Sequence, residues 1–238
     1  MQPDPRAIIA KSVKENQIDF QAAPDFSYKE RDSTPNGSKT YQVTMIDGSS
    51  YQRLIAIDDH PLSKEAAEQE EKKQEEETSR RKAESSEERQ KRIGRYEKDR
   101  SRDNAMMQQL TEAFTFSLIG ERNLGSRKVY VLRATPRPGY QPPNLQAQVL
   151  PGMQGQLWID ESTYQWVKVT AKVIHPVSIE GFLAQVEPGT QFELEKMPVG
   201  NGIWQPKHFA VKSQAKVLFL FNRNSHDEET YFDYQRSK

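Results

Sequence analysis

The 238-residue chain carries 34 basic and 34 acidic residues, so it has no net basic charge that would attract nucleic acid or anionic lipid. It contains no cysteine, which excludes disulfides, thiolate catalysis and zinc–thiolate sites. No apolar run approaches the length of a membrane span. The polar start at Met1 shows no signal peptide, and we interpret the chain as a mature or trimmed form with a new initiator Met.

The first 60 residues predict one helix and three strands. Ile8, Ile9 and Val13 recur at helical spacing, so a short amphipathic helix is expected over residues 5–18, with Asp4 as its N-cap. Asp47-Gly48 predicts a tight hairpin turn between two of the strands. The predicted strands are Phe26–Arg31, Lys39–Ile46 and Tyr51–Ile57.

Residues 63–103 form a charged segment of mostly Glu, Lys, Arg, Gln, Ser and Ala. Glu repeatedly precedes a basic residue by four positions, as in Glu76 and Arg80, which stabilises a helix. The segment has no heptad stripe, so a coiled coil is not expected, and its acids cancel its bases, which excludes a nucleic-acid tail. We interpret it as a solvated helix, partly frayed, that would reach about 60 Å if helical throughout.

After the charged segment, Met106 to Phe114 predicts an apolar helical stripe. Phe114–Glu121 and Lys128–Thr135 then read as strands, and Asn144–Leu150 as a short helix or loop. The last third of the chain is a regular series of short runs rich in Val, Phe, Tyr and Trp, which predicts an antiparallel meander. Its predicted strands are Gln156–Asp160, Tyr164–Ile174, Phe182–Val186, Gln191–Glu195, Ile203–Lys212, Lys216–Asn222 and Glu229–Tyr234.

Motifs of catalysis are absent from the sequence. It contains no G-x-S-x-G, P-loop, G-x-G-x-x-G or H-E-x-x-H pattern, and none of its four histidines has helical ligand spacing to another. No metal site or cofactor is therefore expected. An enzyme using the cluster of His226 and the acids after it is the least favoured hypothesis, because no nucleophile with an adjacent base can be assembled.

The main signal is the alternation of apolar side chains along the strands. A wide sheet with one apolar face needs covering, and the sequence offers few apolar helices for that purpose. If the sheet curls, an apolar cavity is expected, with Met106 and Met107 suited to a mobile cover. The candidate ligand-binding residues are Tyr41, Val43, Met45, Ile55, Ile57, Met106, Met107, Leu110, Phe114, Val167, Val169, Val173, Phe182, Phe192, Phe209, Phe219 and Phe221.

Five segments of the last third carry a resemblance to a known family. They are Gly155-Gln156-Leu157-Trp158-Ile159-Asp160, Val167-Lys168-Val169, Val177-Ser178-Ile179-Glu180-Gly181, Pro188-Gly189-Thr190-Gln191-Phe192-Glu193-Leu194 and Gly202-Ile203-Trp204-Gln205-Pro206-Lys207. With these segments the chain resembles the LolA/LolB lipoprotein-carrier superfamily, and most closely the outer membrane lipoprotein-sorting proteins with a charged helical insertion. The resemblance covers the last 90 residues well and the first 60 loosely.

The resemblance implies a fold of the α+β class, mainly β. It is one antiparallel half-open β-barrel of about 10–11 strands, with helices over the concave face and a long charged helix after the third strand. One domain over residues 1–238, with 63–103 as its insertion, is expected. A buried arginine latch has two candidates, Arg53 and Arg133, although both are expected to be exposed.

Two functions remain open from the sequence. The first is a non-enzymatic periplasmic carrier that buries the acyl chain of a lipid or lipoprotein in the cavity. The second is an envelope interaction or sensor module that docks a protein partner through residues 63–103 and transports no ligand. Neither function involves nucleic acid or a transmembrane segment.

Overall fold

The computed structural model describes residues 3–179, 184–217 and 221–237. The described helices are α1 (Pro5–Ala22), α2 (Lys64–Lys82), α3 (Ser86–Gln108) and α4 (Leu110–Ala113), with 3₁₀ turns at Ala23–Asp25 and Gln146–Gly152. The described strands are β1 (Phe26–Thr34), β2 (Gly37–Ile46), β3 (Ser49–Ile57), β4 (His60–Pro61), β5 (Phe114–Leu124), β6 (Arg127–Pro136), β7 (Met153–Asp160), β8 (Trp166–Val173), β9 (Val177–Ile179), β10 (Ala184–Val186), β11 (Gln191–Gly200), β12 (Ile203–Val217) and β13 (Phe221–Arg236).

The strands form one antiparallel sheet in the order β4-β3-β2-β1-β13-β12-β11-β8-β7-β6-β5, and β10 adds to β12 with β9 beside it. The end strands β4 and β5 do not pair with each other in the described residues, so the sheet stays open. The apolar core lies where α1 packs on β6, β7 and β8, around Ile8, Leu132 and Ile159. The predicted mainly-β, half-open fold with helices on one face is confirmed.

The final hairpin differs from its prediction. The expected strands Ile203–Lys212 and Lys216–Asn222 merge into β12, and β13 begins at Phe221, with Val217 opposite Phe221. Arg223 and Asn224 lie between the predicted strands Lys216–Asn222 and Glu229–Tyr234, but they pair with Ala215 and Gln214 in the ladder. Cross-strand pairing overrides local turn propensity there. The start of the predicted strand Phe182–Val186 lies outside the described residues.

The predicted helical insertion is present as two helices. Ser63 caps α2 by accepting a hydrogen bond from the backbone N–H of Ala66. The helix ends at Ala83, and α3 then runs to Gln108, which absorbs the start of the apolar stripe expected at Met106. The insertion therefore bends at residues 83–85 and is not one extended rod.

Two arginines hold the insertion on the β2–β3 turn. Arg81 is buried, and its Nη1 donates to the carbonyls of Ile46 at 2.8 Å and of Ser49 at 2.9 Å. Arg92 donates to the hydroxyl of Ser49 at 2.7 Å and pairs with Glu84 at 2.7 Å. The expectation of a solvated helix is wrong at Arg81, because the turn supplies the acceptors that its buried guanidinium requires.

A buried carboxylate joins α1 to three strands. Asp19 is 3% exposed and accepts from the backbone N–H of Trp204 at 2.8 Å, from Gln165 Nε2 at 3.2 Å and from Lys196 Nζ at 2.5 Å. Lys196 Nζ also donates to Asn16 Oδ1 at 2.9 Å. Burial lowers the pKa of Lys196 from its ordinary value, and the charge of Asp19 opposes that shift.

Neither of the two arginines predicted as latch candidates occupies the buried position that Lys196 holds. Arg53 lies on β3 with Nη1 3.6 Å from a carboxylate oxygen of Glu71 in α2. Arg133 is exposed on β6, on the face of the sheet away from the core. In the described residues, Lys196 is the buried cation that ties α1 to the sheet, as Arg81 ties α2 to the β2–β3 turn.

Asp19→Asn tests this arrangement. It leaves Lys196 buried beside a neutral amide, so we expect the free energy of unfolding to fall by about 3–5 kcal/mol. The matched control is Asp25→Asn, because Asp25 pairs with Arg236 at the surface and such pairs contribute about 0–1 kcal/mol. Urea unfolding measures both values. Equal losses in the two variants would contradict the assignment.

Arg81→Gln tests how the insertion is held. The shorter side chain leaves the turn carbonyls without their donor, so we expect a loss of about 1–3 kcal/mol and faster amide hydrogen exchange in α2. Arg80→Gln is the control, because Arg80 is half exposed and pairs only with acids of the insertion. Unchanged exchange in Arg81→Gln would show that other contacts hold α2.

Candidate apolar binding site

Three small residues lie side by side in one row across the sheet. Ala134, Gly155 and Ala171 are direct cross-strand partners on β6, β7 and β8. Phe116 of β5 pairs with Ala134 at one end, and Phe192 of β11 pairs with Ala171 at the other. The row therefore has two large aromatic ends and an empty middle, on the face that carries the core.

The neighbouring row on the same face is filled with large side chains. It consists of Leu132, Leu157, Val169, Leu194 and Phe209, which are direct partners on consecutive strands. On the other side of the small row lie Met153 and Val173, which also pair. Large residues above and below small ones leave a depression that the sheet cannot close by itself.

Gly155 cannot be replaced by a larger residue without moving the backbone. A Cβ atom built at this position would lie 2.5 Å from the carbonyl oxygen of Thr170 on β8. Real Cβ atoms do not approach a backbone oxygen so closely, so β7 and β8 can pair here only with glycine. The same missing side chain opens the floor of the depression.

Two short segments cover the depression. Met107 and Leu110 reach it from the end of α3 and from α4, and Val149 and Leu150 from the 3₁₀ turn. Trp166 forms a side wall, and its indole N–H donates to Ser12 Oγ of α1 at 3.1 Å. The cover is thus made of few residues on short elements, whereas the floor and wall belong to the sheet.

The enclosed space is an apolar cavity of about 240 Å³. Gln154, Thr170 and Glu193 border it, but their side chains belong to cross-strand rows of the opposite face. The cavity is lined by Met107, Leu110, Phe114, Phe116, Ala134, Val149, Leu150, Met153, Gly155, Leu157, Trp166, Val169, Ala171, Phe192, Leu194 and Phe209, besides those three.

Six of the residues predicted from the sequence line this cavity: Met107, Leu110, Phe114, Val169, Phe192 and Phe209. Seven others lie elsewhere: Tyr41, Val43, Met45, Ile55 and Ile57 on β2 and β3, and Val167 and Val173 on β8. Phe182 and Phe219 lie outside the described residues. Met106 and Phe221 fall in described elements, but their side chains are not described.

Trp166 faces the core because β8 contains a bulge. Strict alternation along the strand would place it on the face opposite to Val169, but Trp158 pairs with Lys168 while Ile159 pairs with Trp166. The bulge adds Val167 to β8 and returns Trp166 to the core, where it is 2% exposed. A bulge of this kind has no reliable signal in one strand, because it depends on the register with the next.

The β1–β13 part of the core-side face is acidic and rich in tyrosine. Asp32, Glu229 and Phe209 are successive partners in one row, and Glu30 pairs with Tyr231 beside it. Tyr231 donates a hydrogen bond to Glu229. Burial, and after it the charges of Asp32 and Glu229, raise the pKa of Glu30 to about 7. The apolar cavity therefore ends against carboxylates on this side.

No metal-binding cluster accompanies the cavity in the part of the chain that the structure describes. Within residues 3–179, 184–217 and 221–237, no group of three or more His, Asp or Glu side chains could hold a metal ion. His226 Nε2 lies 2.9 Å from Glu228, and both are on the face away from the cavity. Among the described helices, none is both long enough and apolar enough to cross a membrane.

Comparison with known proteins returns solved structures alone, since no protein-family model and no curated protein matches the chain. A LolA superfamily protein from Nitrosomonas europaea is 10% identical, with a TM-score of 0.36, over 100% of this chain and 95% of that one. A putative outer membrane lipoprotein-sorting protein domain from Vibrio parahaemolyticus is 11% identical, with a TM-score of 0.35, over 96% and 93%.

A third solved structure, a DUF1329 family protein from Desulfovibrio piger, is 12% identical, with a TM-score of 0.36, over 98% of this chain and 94% of that one. The superfamily named in the first of these comparisons is the one that the sequence resembles. The fold itself, an open antiparallel sheet with helices on one face, rests on the strand order above.

Glu30→Gln tests the acidic part of the face. The folded-state pKa of Glu30, about 7, lies above its ordinary 4.5, so its contribution to stability is complete below pH 4.5 and is lost as pH rises through 7. We expect the melting temperature of the wild type to fall from pH 5 to pH 8, and to fall a few degrees less in the variant. Exposed Glu75→Gln is the control, and parallel melting curves for all three proteins would exclude this origin.

Proposed function

We propose that the chain is a non-enzymatic binder of acyl chains, acting in the periplasm as a carrier of a lipid or lipoprotein. The observation that carries the proposal is the row Ala134, Gly155 and Ala171 between two phenylalanines. A row of three small residues enclosed by large apolar ones costs packing energy in the free protein. A hydrocarbon ligand recovers that energy by filling the space.

The lining sets the class of ligand. Its side chains are aliphatic or aromatic apart from the indole N–H of Trp166, which is already bonded to Ser12. An apolar cavity of this kind does not hold water well, because water needs polar partners there. A linear hydrocarbon is the ligand that leaves no polar group unsatisfied.

The size of the cavity requires the cover to move. Its volume of about 240 Å³ is below the range of about 300–1,000 Å³ that is usual for small-ligand sites. Micromolar affinity corresponds to about 8 kcal/mol, or roughly ten methylenes at about 0.8 kcal/mol each. A chain of that length fits only if Met107 and Leu110, or Val149 and Leu150, move away from the floor.

The elements that carry the cover are suited to such movement. Leu110 stands on the four-residue helix α4, and Val149 and Leu150 on a 3₁₀ turn that contains Pro151. Short elements with few internal hydrogen bonds open locally at low free energy. Met107 repacks readily around a ligand because its side chain is unbranched.

The second hypothesis, partner docking through residues 63–103, receives less support. Much of the exposed charge on α2 is paired within the helix, as in Lys73 with Glu70 at 2.5 Å and Arg80 with Glu77 at 2.7 Å. Arg81 and Arg92 face the sheet. In its described residues, α2 therefore leaves few unpaired charges of one sign for a partner to recognise.

Ala171→Leu tests the proposal. The added side chain points into the cavity from the middle of the small row, so we expect uptake of a fluorescent fatty acid by the delipidated protein to fall at least about tenfold. Ala210→Leu is the matched control, because Ala210 lies on the opposite face of β12, partly exposed. Fluorescence titration measures both.

Loss of uptake in Ala171→Leu with normal uptake in Ala210→Leu supports the assignment. If the wild type and both variants take up no fatty acid, and organic extraction of the purified chain yields no lipid, the proposal is wrong. Circular dichroism of each variant establishes that the sheet is intact.

A further inference from the structure

The face of the sheet away from the helices carries a second concave site. Behind the small row, Arg133, Gln156, Thr170 and Glu193 are direct partners on β6, β7, β8 and β11. The same row continues through Ala210 to Glu228. These side chains alternate with those of the cavity along each strand, so the two sites share the backbone but face opposite directions.

The adjoining row on this face consists of hydrogen-bond donors. Gln154, Lys172, Gln191, Lys212 and His226 are direct partners on β7, β8, β11, β12 and β13. The two lysines are separated by one strand, which places their backbones about 10 Å apart. Both ammonium groups can therefore turn towards one anion above Gln191, whose amide adds a donor.

Three cations of this surface are unpaired within the part of the chain that the structure describes. Glu193 is paired with Lys168 at 2.7 Å, and Glu228 with His226 at 2.9 Å. Arg133, Lys172 and Lys212 have no ion-pair partner in those residues. Lys168 thus neutralises Glu193, and the three unpaired cations outnumber the remaining carboxylate of these rows, Glu228. The surface therefore has an excess of positive charge in a chain of zero net charge.

The two rows line a groove of about 600 Å³. This volume lies within the range of about 300–1,000 Å³ that is usual for small-molecule sites, whereas protein-docking surfaces are flatter and wider. Arg133 and Lys172 are exposed, and so is Lys212, so an incoming ligand reaches all three. Guanidinium and ammonium groups together are the usual protein ligands of phosphate.

We propose that this groove binds a phosphate group carried by a small polar molecule or a lipid headgroup. Lys172 and Lys212 hold the phosphate oxygens, Arg133 makes a second contact, and the three glutamines bind polar substituents. The site goes beyond acyl-chain binding and does not depend on it, because the cavity opens on the other face of the sheet.

The test compares the double variant Lys172→Gln/Lys212→Gln with Lys14→Gln/Lys98→Gln. The control removes the same two charges from exposed positions on α1 and α3. The probes are inorganic phosphate and glycerol 3-phosphate, measured by titration calorimetry at low salt, and phosphatidylglycerol vesicles, measured by co-sedimentation. Glycerol and an oligo-glutamate peptide serve as comparison ligands.

We expect glycerol 3-phosphate to bind the wild type. Its affinity for the groove variant should be at least about tenfold lower, and its affinity for the control variant should lie within about twofold of the wild type. If only the vesicles show these differences between the proteins, the phosphate belongs to a lipid headgroup, and this result also supports the proposal. Equal weakening in both variants, or binding of the peptide with neither phosphate probe bound, overturns it. Ala171→Leu should keep phosphate binding, so failure at the cavity is distinguishable from failure at the groove.

Discussion

The buried carboxylate of Asp19 fixes the position of α1 and therefore the shape of the core. It accepts from Lys196, Gln165 and the backbone of Trp204, which lie on or beside β11, β8 and β12. A charge removed from water is tolerated only with such partners, so α1 has one permitted position on the sheet. That position brings Ser12 to Trp166, and the indole then stands as the wall of the cavity.

The cavity and the groove are consequences of one sheet with two different faces. Small residues at Ala134, Gly155 and Ala171 remove volume from the core side, while the residues directly before and after each of them in sequence are polar. Because the faces alternate residue by residue, the polar rows lie directly behind the small row. A substitution on one face can therefore leave the side chains of the other face unchanged.

The insertion is also part of this arrangement. Arg81 and Arg92 attach it to the β2–β3 turn, and Tyr96 donates to Met45 Sδ further along α3. Arg100 then donates to the carbonyl of Phe20 in α1, and the helix ends beside the cavity. A charged surface segment therefore continues into the apolar cover, which links the position of the insertion to the cover of the cavity.

The sequence by itself determined the helices, most strands, the cap at Asp4 and the apolar stripes that supply Leu110, Phe114 and Phe192 to the cavity. These follow from local periodicity and capping, which need no partner strand. Tertiary structure alone decided that three small residues share a row, that a bulge turns Trp166 inward, and that Arg81 is buried. Each depends on register between distant strands or on acceptors supplied by another element, and one strand carries no information about its neighbour's register.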